Sequence, residues 1–259
     1  MTQTDGHELI SVIMPAYNCE ATLEEAVISV LGQTYPHLEL LIVDDASEDG
    51  TPDICRRLAE QDKRVRYIRN KVNCGALKTR ITAADNAAGE WIAFIDADDL
   101  WMPGKLEKQL KLRDGTDCDI IYTASAFMDD CGNRYDWIMH VPEQVGYRKL
   151  LKQNIISNSS VLMRKTDYIR FSPPDESSGD MHEDFACWLG MLREGFVARG
   201  IDEPLITYRI SARSSTGNKI GASRMNMNTY KYLKLGFFER HFYQTCYAVN
   251  GLFKYRHFR

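Results

Sequence analysis

Four short apolar runs lie in the first hundred residues: LISVIM (9–14), LELLIV (38–43), VRYIR (65–69) and WIAFI (91–95). Between them stand windows of helical periodicity at Thr22–Leu31, Pro52–Gln61 and from Gly75 to about Ala88, the last stopped by Gly89. Runs this short, rich in β-branched residues and closed by proline or polar turn residues, read as buried strands. Strands alternating with helices demand a mostly parallel, doubly wound sheet with helices on both faces. In such an α/β sheet, ligands bind outside the carboxyl ends of the strands. Tyr17 and Asn18, Asp44 and Asp45, Asn73, and Asp96 and Asp98 each follow a strand and are expected to converge on one crevice.

The fourth of these ends says most about chemistry. In WIAFIDADDLWMP (91–103) the apolar run stops at Asp96, Asp98 and Asp99, three carboxylates within four positions. Clustered carboxylates repel one another and are costly to desolvate, and a divalent cation relieves both problems. Mg²⁺ or Mn²⁺ takes few protein oxygens and leaves its other positions to water and phosphate. The segment therefore suggests a metal holding a diphosphate, with Asp99 able to cap the helix that follows.

The pattern loosens beyond Pro103. Lys105–Lys111 reads as a helix, Ile120–Phe127 as a strand, DDCGNR (129–134) as a hairpin-like turn, 146–153 as helical, and 157–163 as an alternating strand. SPPDESSGD (172–180) has a loop composition, and His182, Glu183 and Asp184 directly precede a helix expected over 185–195. At 259 residues, one large domain with a C-terminal extension is expected. No secretory leader is read at the N-terminus, and no window is apolar enough to span a membrane. Seven scattered cysteines without a CxxC pair fit reduced thiols in the cytoplasm.

The net charge of −4 hides an asymmetry: residues 219–259 hold eight Lys/Arg against Glu239, or +7, which leaves −11 for 1–218. Ten aromatics between Tyr230 and Phe258 interleave with those basic residues. Such a segment either lies on a membrane surface or packs its aromatics on the domain with its lysines solvated.

Taken in order, SVIMPAYN, LELLIVDDASEDGT, NCGALKTRITAADNAAGEWIAFIDADD and HEDFACWL resemble family 2 of the inverting, GT-A-fold glycosyltransferases over roughly residues 9–210. The resemblance implies a nucleotide-sugar half over about 1–103, an acceptor half over about 104–218, and an extension at 219–259. It places Pro15, Tyr17 and Asn18 against a nucleobase, and makes Asp45 the acceptor for the uracil N3–H with Asp44 supporting the loop. Lys78 and Arg80 would meet uracil or phosphate. Asp98 would be the direct ligand of Mn²⁺ or Mg²⁺, and Asp96 would stand near the ribose or a metal-bound water. Asp184 matches the family's general base, with Glu183 orienting it or binding an acceptor hydroxyl, and His182 doing either or ligating the metal. YRISARSSTGNK (208–219) is similar to the tail motif of bacterial polysaccharide-assembly transferases, whose Arg209, Arg213 and Lys219 could close over a diphosphate.

The chain has no QxxRW motif and no spanning helix, in contrast to processive members such as cellulose synthases. What the resemblance implies is a single-addition hexosyltransferase moving glucose or galactose from a UDP-sugar to a lipid-diphosphate-linked saccharide in O-antigen or capsule synthesis. Such an enzyme would sit at the inner face of the cytoplasmic membrane. No nucleic-acid partner is expected. A haloacid dehalogenase-type phosphatase would place its DxD near the start of the domain, and a nucleotidyltransferase would need a glycine-rich loop after its first strand. A catalytically silent nucleotide-sugar-binding protein is the remaining alternative.

Overall fold

All four apolar runs become neighbouring strands. β1 (Ile10–Ala16), β2 (Leu38–Asp44), β3 (Val65–Arg69) and β4 (Trp91–Phe94) pair in parallel in the order β3-β2-β1-β4. The computed structural model describes residues 8–174, 181–210 and 219–255, and within them the sheet has ten strands. Helices α1 (Leu23–Leu31), α2 (Thr51–Gln61) and α3 (Ala76–Asn86) are the crossovers that parallel pairing requires. Then follow β5 (Leu100–Trp101), α4 (Lys105–Gly115), β6 (Ile120–Asp129), β7 (Arg134–Met139), β8 (Gln144–Val145), α5 (Tyr147–Leu150), β9 (Leu162–Arg164) and α6 (Lys165–Phe171). The described chain ends with α7 (Glu183–Arg193), β10 (Ala198–Ile210), α8 (Lys219–Tyr232) and α9 (Phe237–Tyr255). From β4 the sheet continues through antiparallel β9 to β6, which pairs in parallel with β10. β5, β7 and β8 add antiparallel pairs. The result is a mixed, mostly parallel sheet flanked by helices, the α/β architecture expected from the sequence.

Strand side chains alternate between two cores. Ile13, Leu41, Val43, Ile92 and Phe94 face one, while Val12, Met14, Leu40, Ile42 and Ile95 face the other, as the two-residue strand period dictates. Helices α1, α2 and α4 cover the second face through Leu23, Val27, Val30, Leu58 and Leu106. Helices α3, α6, α7 and α8 cover the first through Ala83, Tyr168, Phe185, Trp188 and Tyr230. Burial on both faces is the reason these runs read as continuously apolar. The C-terminal helices share this core: Tyr230 is fully buried, its hydroxyl donates to the Leu151 carbonyl at 2.6 Å, and Tyr243 and Tyr247 pack beside it.

Several elements differ from the sequence expectation. Pro15 does not end β1, which runs to Ala16. Its missing N–H is tolerated because the ladder to β4 has already stopped at Ile13–Phe94. The strand expected over 157–163 is a short 3₁₀ turn at Asn158–Ser160 followed by three strand residues, because the serines bond locally, Ser160 Oγ donating to the Ser157 carbonyl at 2.7 Å. The helix at 146–153 shortens to four residues, and α7 starts at Glu183, two residues early. β10 escapes the pattern because Pro204 and neighbouring acids interrupt it, and the strand absorbs the proline at register shifts. Asp99 does not cap α4, whose N-cap is Gly104. Most of the 172–180 loop expectation falls outside the described residues.

Two glycines are required by geometry. Gly75 enters α3 with φ 86°, a conformation that costs an L-residue strain. A Cβ on Gly89 would meet the Leu9 carbonyl at 2.4 Å and Ser11 Oγ at 2.9 Å, and the Gly89 N–H donates to that hydroxyl. Gly89→Ala is therefore expected to lower unfolding stability by about 1–3 kcal/mol, read from urea denaturation; an unchanged midpoint would contradict the close approach.

Candidate active site

The loops after β1, β2 and β4 open into one cleft of about 490 Å³. Pro15, Tyr17, Asn18, Asp45, Arg80, Asp96, Asp98 and Arg209 line it, as do Thr79, Asp130 and Tyr208. The first two loops are stitched together. The Asn18 N–H donates to Ser47 Oγ at 3.0 Å, and Asn18 Oδ1 accepts from the Glu48 N–H at 2.9 Å. Asn18 adopts φ 47° to do so, a left-handed conformation that asparagine tolerates.

Asp44 supports this edge from below: it is buried and accepts from the Ser47 N–H at 2.8 Å and the Tyr67 hydroxyl at 3.0 Å. Asp45 gathers the loop that leads into α3. It accepts from Asn70 Nδ2 at 2.8 Å, the Cys74 N–H at 3.0 Å and the Gly75 N–H at 2.8 Å. Burial raises its pKa, but these donors outweigh burial and hold the carboxyl below its ordinary range. Asn73 is exposed and accepts from the Gly75 N–H. Lys78 lies on the exposed side of α3 and does not line the cleft.

The three carboxylates after β4 have three different environments. Asp96 pairs with the half-buried Arg80 guanidinium at 2.7 Å, while its backbone N–H donates to Ser159 Oγ at 3.0 Å. Asp99 is fully buried; it accepts from that same Ser159 hydroxyl and from the Arg209 N–H at 2.9 Å. Burial, then the charges of Asp98 and Asp96, push its pKa well above the ordinary carboxylate range. Asp98 is half-buried and, among the described residues, forms no ion pair. Burial and the nearby Asp96 charge push its carboxyl up to about 6.

Arg209 is aimed at protein groups. Its Nε donates to the Asp98 carbonyl at 2.9 Å, its terminal nitrogens to the Asp129 carbonyl at 3.3 Å and to Glu25 at 2.9 Å. It lines the cleft while bracing the acidic loop, which differs from the diphosphate clasp expected of it. Arg213 lies outside the described residues, and Lys219 opens α8 with its side chain outside the description.

Glu183 and Asp184 occupy the first turn of α7. Burial raises the pKa of Asp184, while the charges of His182 and Arg80 oppose the rise. Arg80 thus stands between two acidic groups, bonded to Asp96 and acting by charge on Asp184 and Glu183. The His182 N–H donates to Thr229 Oγ1 at 3.2 Å, and its imidazole lies 3.3 Å from the Ala222 carbonyl. Helix α8 therefore buttresses the start of α7.

This donor set fits a hard divalent cation. Asp98 is a desolvated carboxylate without a cationic partner among the described residues, and Asp96 and Asp130 line the same cleft. Among those residues, no three His, Cys, Asp or Glu side chains already form a closed ligand group. An ion that completes its shell with phosphate and water needs no such group.

Residues 11–175 match the sequence profile described as Glycosyl transferase family 2. The chain belongs to this family. TuaG of Bacillus subtilis (strain 168), named provisionally for teichuronic acid biosynthesis, is 34% identical over 252 residues, 97% of this chain and 99% of its own. WfaP of Escherichia coli, a UDP-Glc:alpha-D-GlcNAc-diphosphoundecaprenol beta-1,3-glucosyltransferase, is 32% identical over 248 residues, 96% of each chain. The solved mannosyltransferase PcManGT from Pyrobaculum calidifontis, in complex with GDP-Man and Mn²⁺, aligns with a TM-score of 0.67 and 21% identity. That alignment covers 88% of this chain and 64% of that one, a likeness of fold. This family 2 glycosyltransferase is a sugar-transferring enzyme.

Sequence reasoning missed Ser159, Asn70, Asp130 and Glu25. Asp130 was within reach, because it follows the carboxyl end of β6 as Asp98 follows that of β4. Ser159 had no signal, since its partners lie about sixty positions away. Ser159→Ala would leave the Asp96 N–H and one Asp99 oxygen without their shared partner. A loss of about 1–3 kcal/mol is expected, measured by urea unfolding, and full stability would show that the clamp is dispensable.

Proposed function

We propose that this transferase is an inverting, single-addition enzyme that moves glucose or galactose from a UDP-sugar to a lipid-diphosphate-linked saccharide. The product would enter a bacterial O-antigen or related surface polysaccharide. The observation that carries this reading is the gathering of Asp45, Arg80, Asp96 and Asp98 at one cleft, with Asp184 within the electrostatic reach of Arg80. The name of WfaP, at 32% identity over nearly the whole chain, supports the donor and acceptor classes.

In this reading Tyr17 offers its ring to the uracil. Asp45 already accepts from Asn70, Gly75, and both the N–H and the thiol of Cys74, so it would accept the uracil N3–H in place of the weak thiol donor. Asp98, with Asp96, would hold Mn²⁺ or Mg²⁺, which when bound supplies Lewis-acid stabilisation of charge on the leaving diphosphate. Arg80 adds a fixed positive charge beside Asp96. On the other side, Asp184 takes the proton from the acceptor hydroxyl as its oxygen attacks the anomeric carbon. The bond from that carbon to the diphosphate oxygen breaks with its electron pair leaving on UDP, so the configuration inverts. A base must be unprotonated to act, and the charges of Arg80 and His182 favour that form of Asp184 against burial. Glu183, next to it, orients it or binds an acceptor hydroxyl.

We assign residues 1–103 to the nucleotide-sugar half, 104–218 to the acceptor half, and 219–259 to an extension facing the membrane. The acceptor's lipid anchor places the enzyme on the cytoplasmic membrane from the cytoplasmic side. No described helix is long and apolar enough to cross a membrane, which fits peripheral attachment.

Two substitutions test the assignments separately. Asp98→Ala is expected to abolish metal-stimulated transfer and to weaken Mn²⁺-dependent UDP binding in calorimetry; undiminished metal-stimulated turnover would remove Asp98 from the metal site. Asp184→Asn is expected to lower kcat by about 100- to 10,000-fold while UDP affinity stays at the wild-type value. Normal turnover in that variant would place the base elsewhere.

A further inference from the structure

Helix α9 has two faces of different chemistry. Its inner face packs on the domain: Tyr243 and Tyr247 lie 6.4 and 6.0 Å, centroid to centroid, from Tyr230 and Phe185 respectively. Farther along, Asn250 Nδ2 donates to the Lys152 carbonyl at 3.1 Å. Residues 243, 247 and 250 form one helical stripe. A second stripe carries Phe238, Phe242 and Val249, exposed by 86%, 57% and 46%, with Phe237 beside it at 62%. The packed placement that the sequence allowed for the aromatic tail is thus realised on one side of the helix, while the aromatics of the opposite side stay exposed.

The exposure is concentrated. Of ten large apolar residues exposed among those described, five lie between Tyr232 and Val249, while Leu9, Tyr17, Ile28, Val72 and Ile169 are scattered over the rest. Single exposed apolar side chains are ordinary, whereas a contiguous patch marks an interaction surface. The patch begins at the turn joining α8 to α9, where Lys231 and Lys234 are exposed. The only acid of 219–259, Glu239, is engaged by the Gly236 N–H at 3.1 Å.

Charge selects the occupant. A surface rimmed by lysines, in a segment of net charge +7, is repelled by a second copy of itself but attracted to an anionic bilayer. Phenylalanines exposed beside lysines suit the boundary between headgroups and acyl chains. The location agrees: α8, which holds His182 at Thr229, ends at Tyr232, about 5 Å farther along the helix axis.

We propose that Phe237, Phe238 and Phe242, flanked by Lys231 and Lys234, insert into the headgroup region of an anionic membrane and hold the start of α7, which α8 buttresses, toward that surface. The benefit to catalysis rests on the lipid-diphosphate acceptor proposed above; the membrane contact does not.

The test uses the full chain, a Phe238→Ser/Phe242→Ser variant and a Lys231→Gln/Lys234→Gln variant, with folding checked by circular dichroism and thermal unfolding. Co-sedimentation is measured with phosphatidylcholine vesicles with and without phosphatidylglycerol. The wild type should bind the anionic vesicles in a salt-sensitive way, and the phenylalanine variant should bind about tenfold more weakly per side chain removed. The lysine variant should lose the preference for phosphatidylglycerol. Transfer to a water-soluble, short-chain diphosphate acceptor should stay at the wild-type rate in the phenylalanine variant, while transfer to a long-chain acceptor embedded in vesicles falls. Absence of wild-type vesicle binding, equal binding by the phenylalanine variant, or a wild-type dimer that this variant dissociates would each overturn the proposal. Wild-type binding that depends on the phenylalanines, without transfer to either acceptor, would overturn the acceptor reading and leave the membrane surface standing.

Discussion

Three carboxylates at the end of one buried strand cannot all be charged, desolvated and unpartnered, and much of the site is arranged around that conflict. Each acid is relieved differently. Asp96 has Arg80 as a fixed counter-charge. Asp99 is buried, held by Ser159 and the Arg209 backbone, and driven toward its neutral form. Asp98 keeps most of its cost, eased by a hydrogen bond from its own backbone N–H and by the charge of Arg209. Two acids are satisfied internally and the third stays without an ion pair among the described residues, an arrangement that suits a cation without being closed around one.

The clamp behind these acids explains how an irregular loop holds a defined shape. One serine hydroxyl accepts from the Asp96 N–H and donates to Asp99, while the Trp101 indole donates to the Ser159 carbonyl at 2.9 Å. Arg209 joins the same loop to Glu25 on α1 and to the end of β6. Beneath it Lys105 is fully buried, donates to Gln109 at 2.9 Å and lies 3.8 Å from the Trp101 ring centroid. Burial drives its pKa well below the usual lysine value. Buried polar networks of this kind are stable only when their members are satisfied. That requirement makes Arg209 a brace for the acidic loop.

The acceptor side follows a different logic. Helix α7 carries Glu183 and Asp184 within the electrostatic reach of Arg80, α8 holds the start of α7, and α9 covers α8 through Gln244, which accepts from Asn226 at 2.9 Å. The exposed face of α9 is therefore joined by direct packing to the helix that carries the proposed base.

The first four strands, their helices and the edge where ligands gather were legible because each depends on a dozen or so neighbouring residues. Apolar runs such as LELLIV, the punctuation of Gly75 and Gly89, and acids placed just after strands are local signals. Asp45, Asp96 and Asp98 were found in that way and Arg80 through the family resemblance, and the structure brings all four to one cleft. The strand reading of 157–163 held only at Leu162 and Met163, because apolar alternation is blind to serines that bond locally, as Ser160 does to the Ser157 carbonyl. Arg209 was legible as a cation but not in its aim, since the guanidinium's partners at Asp98 and Glu25 are 111 and 184 positions away. The sequence by itself determined which residue types stand at the carboxyl edge of the sheet, because strand burial and turn chemistry are short-range. Only the tertiary structure decided which acid is paired, which is driven toward its neutral form and which stays without an ion pair among the described residues, because hydrogen bonding and desolvation depend on groups that meet only when the chain has folded.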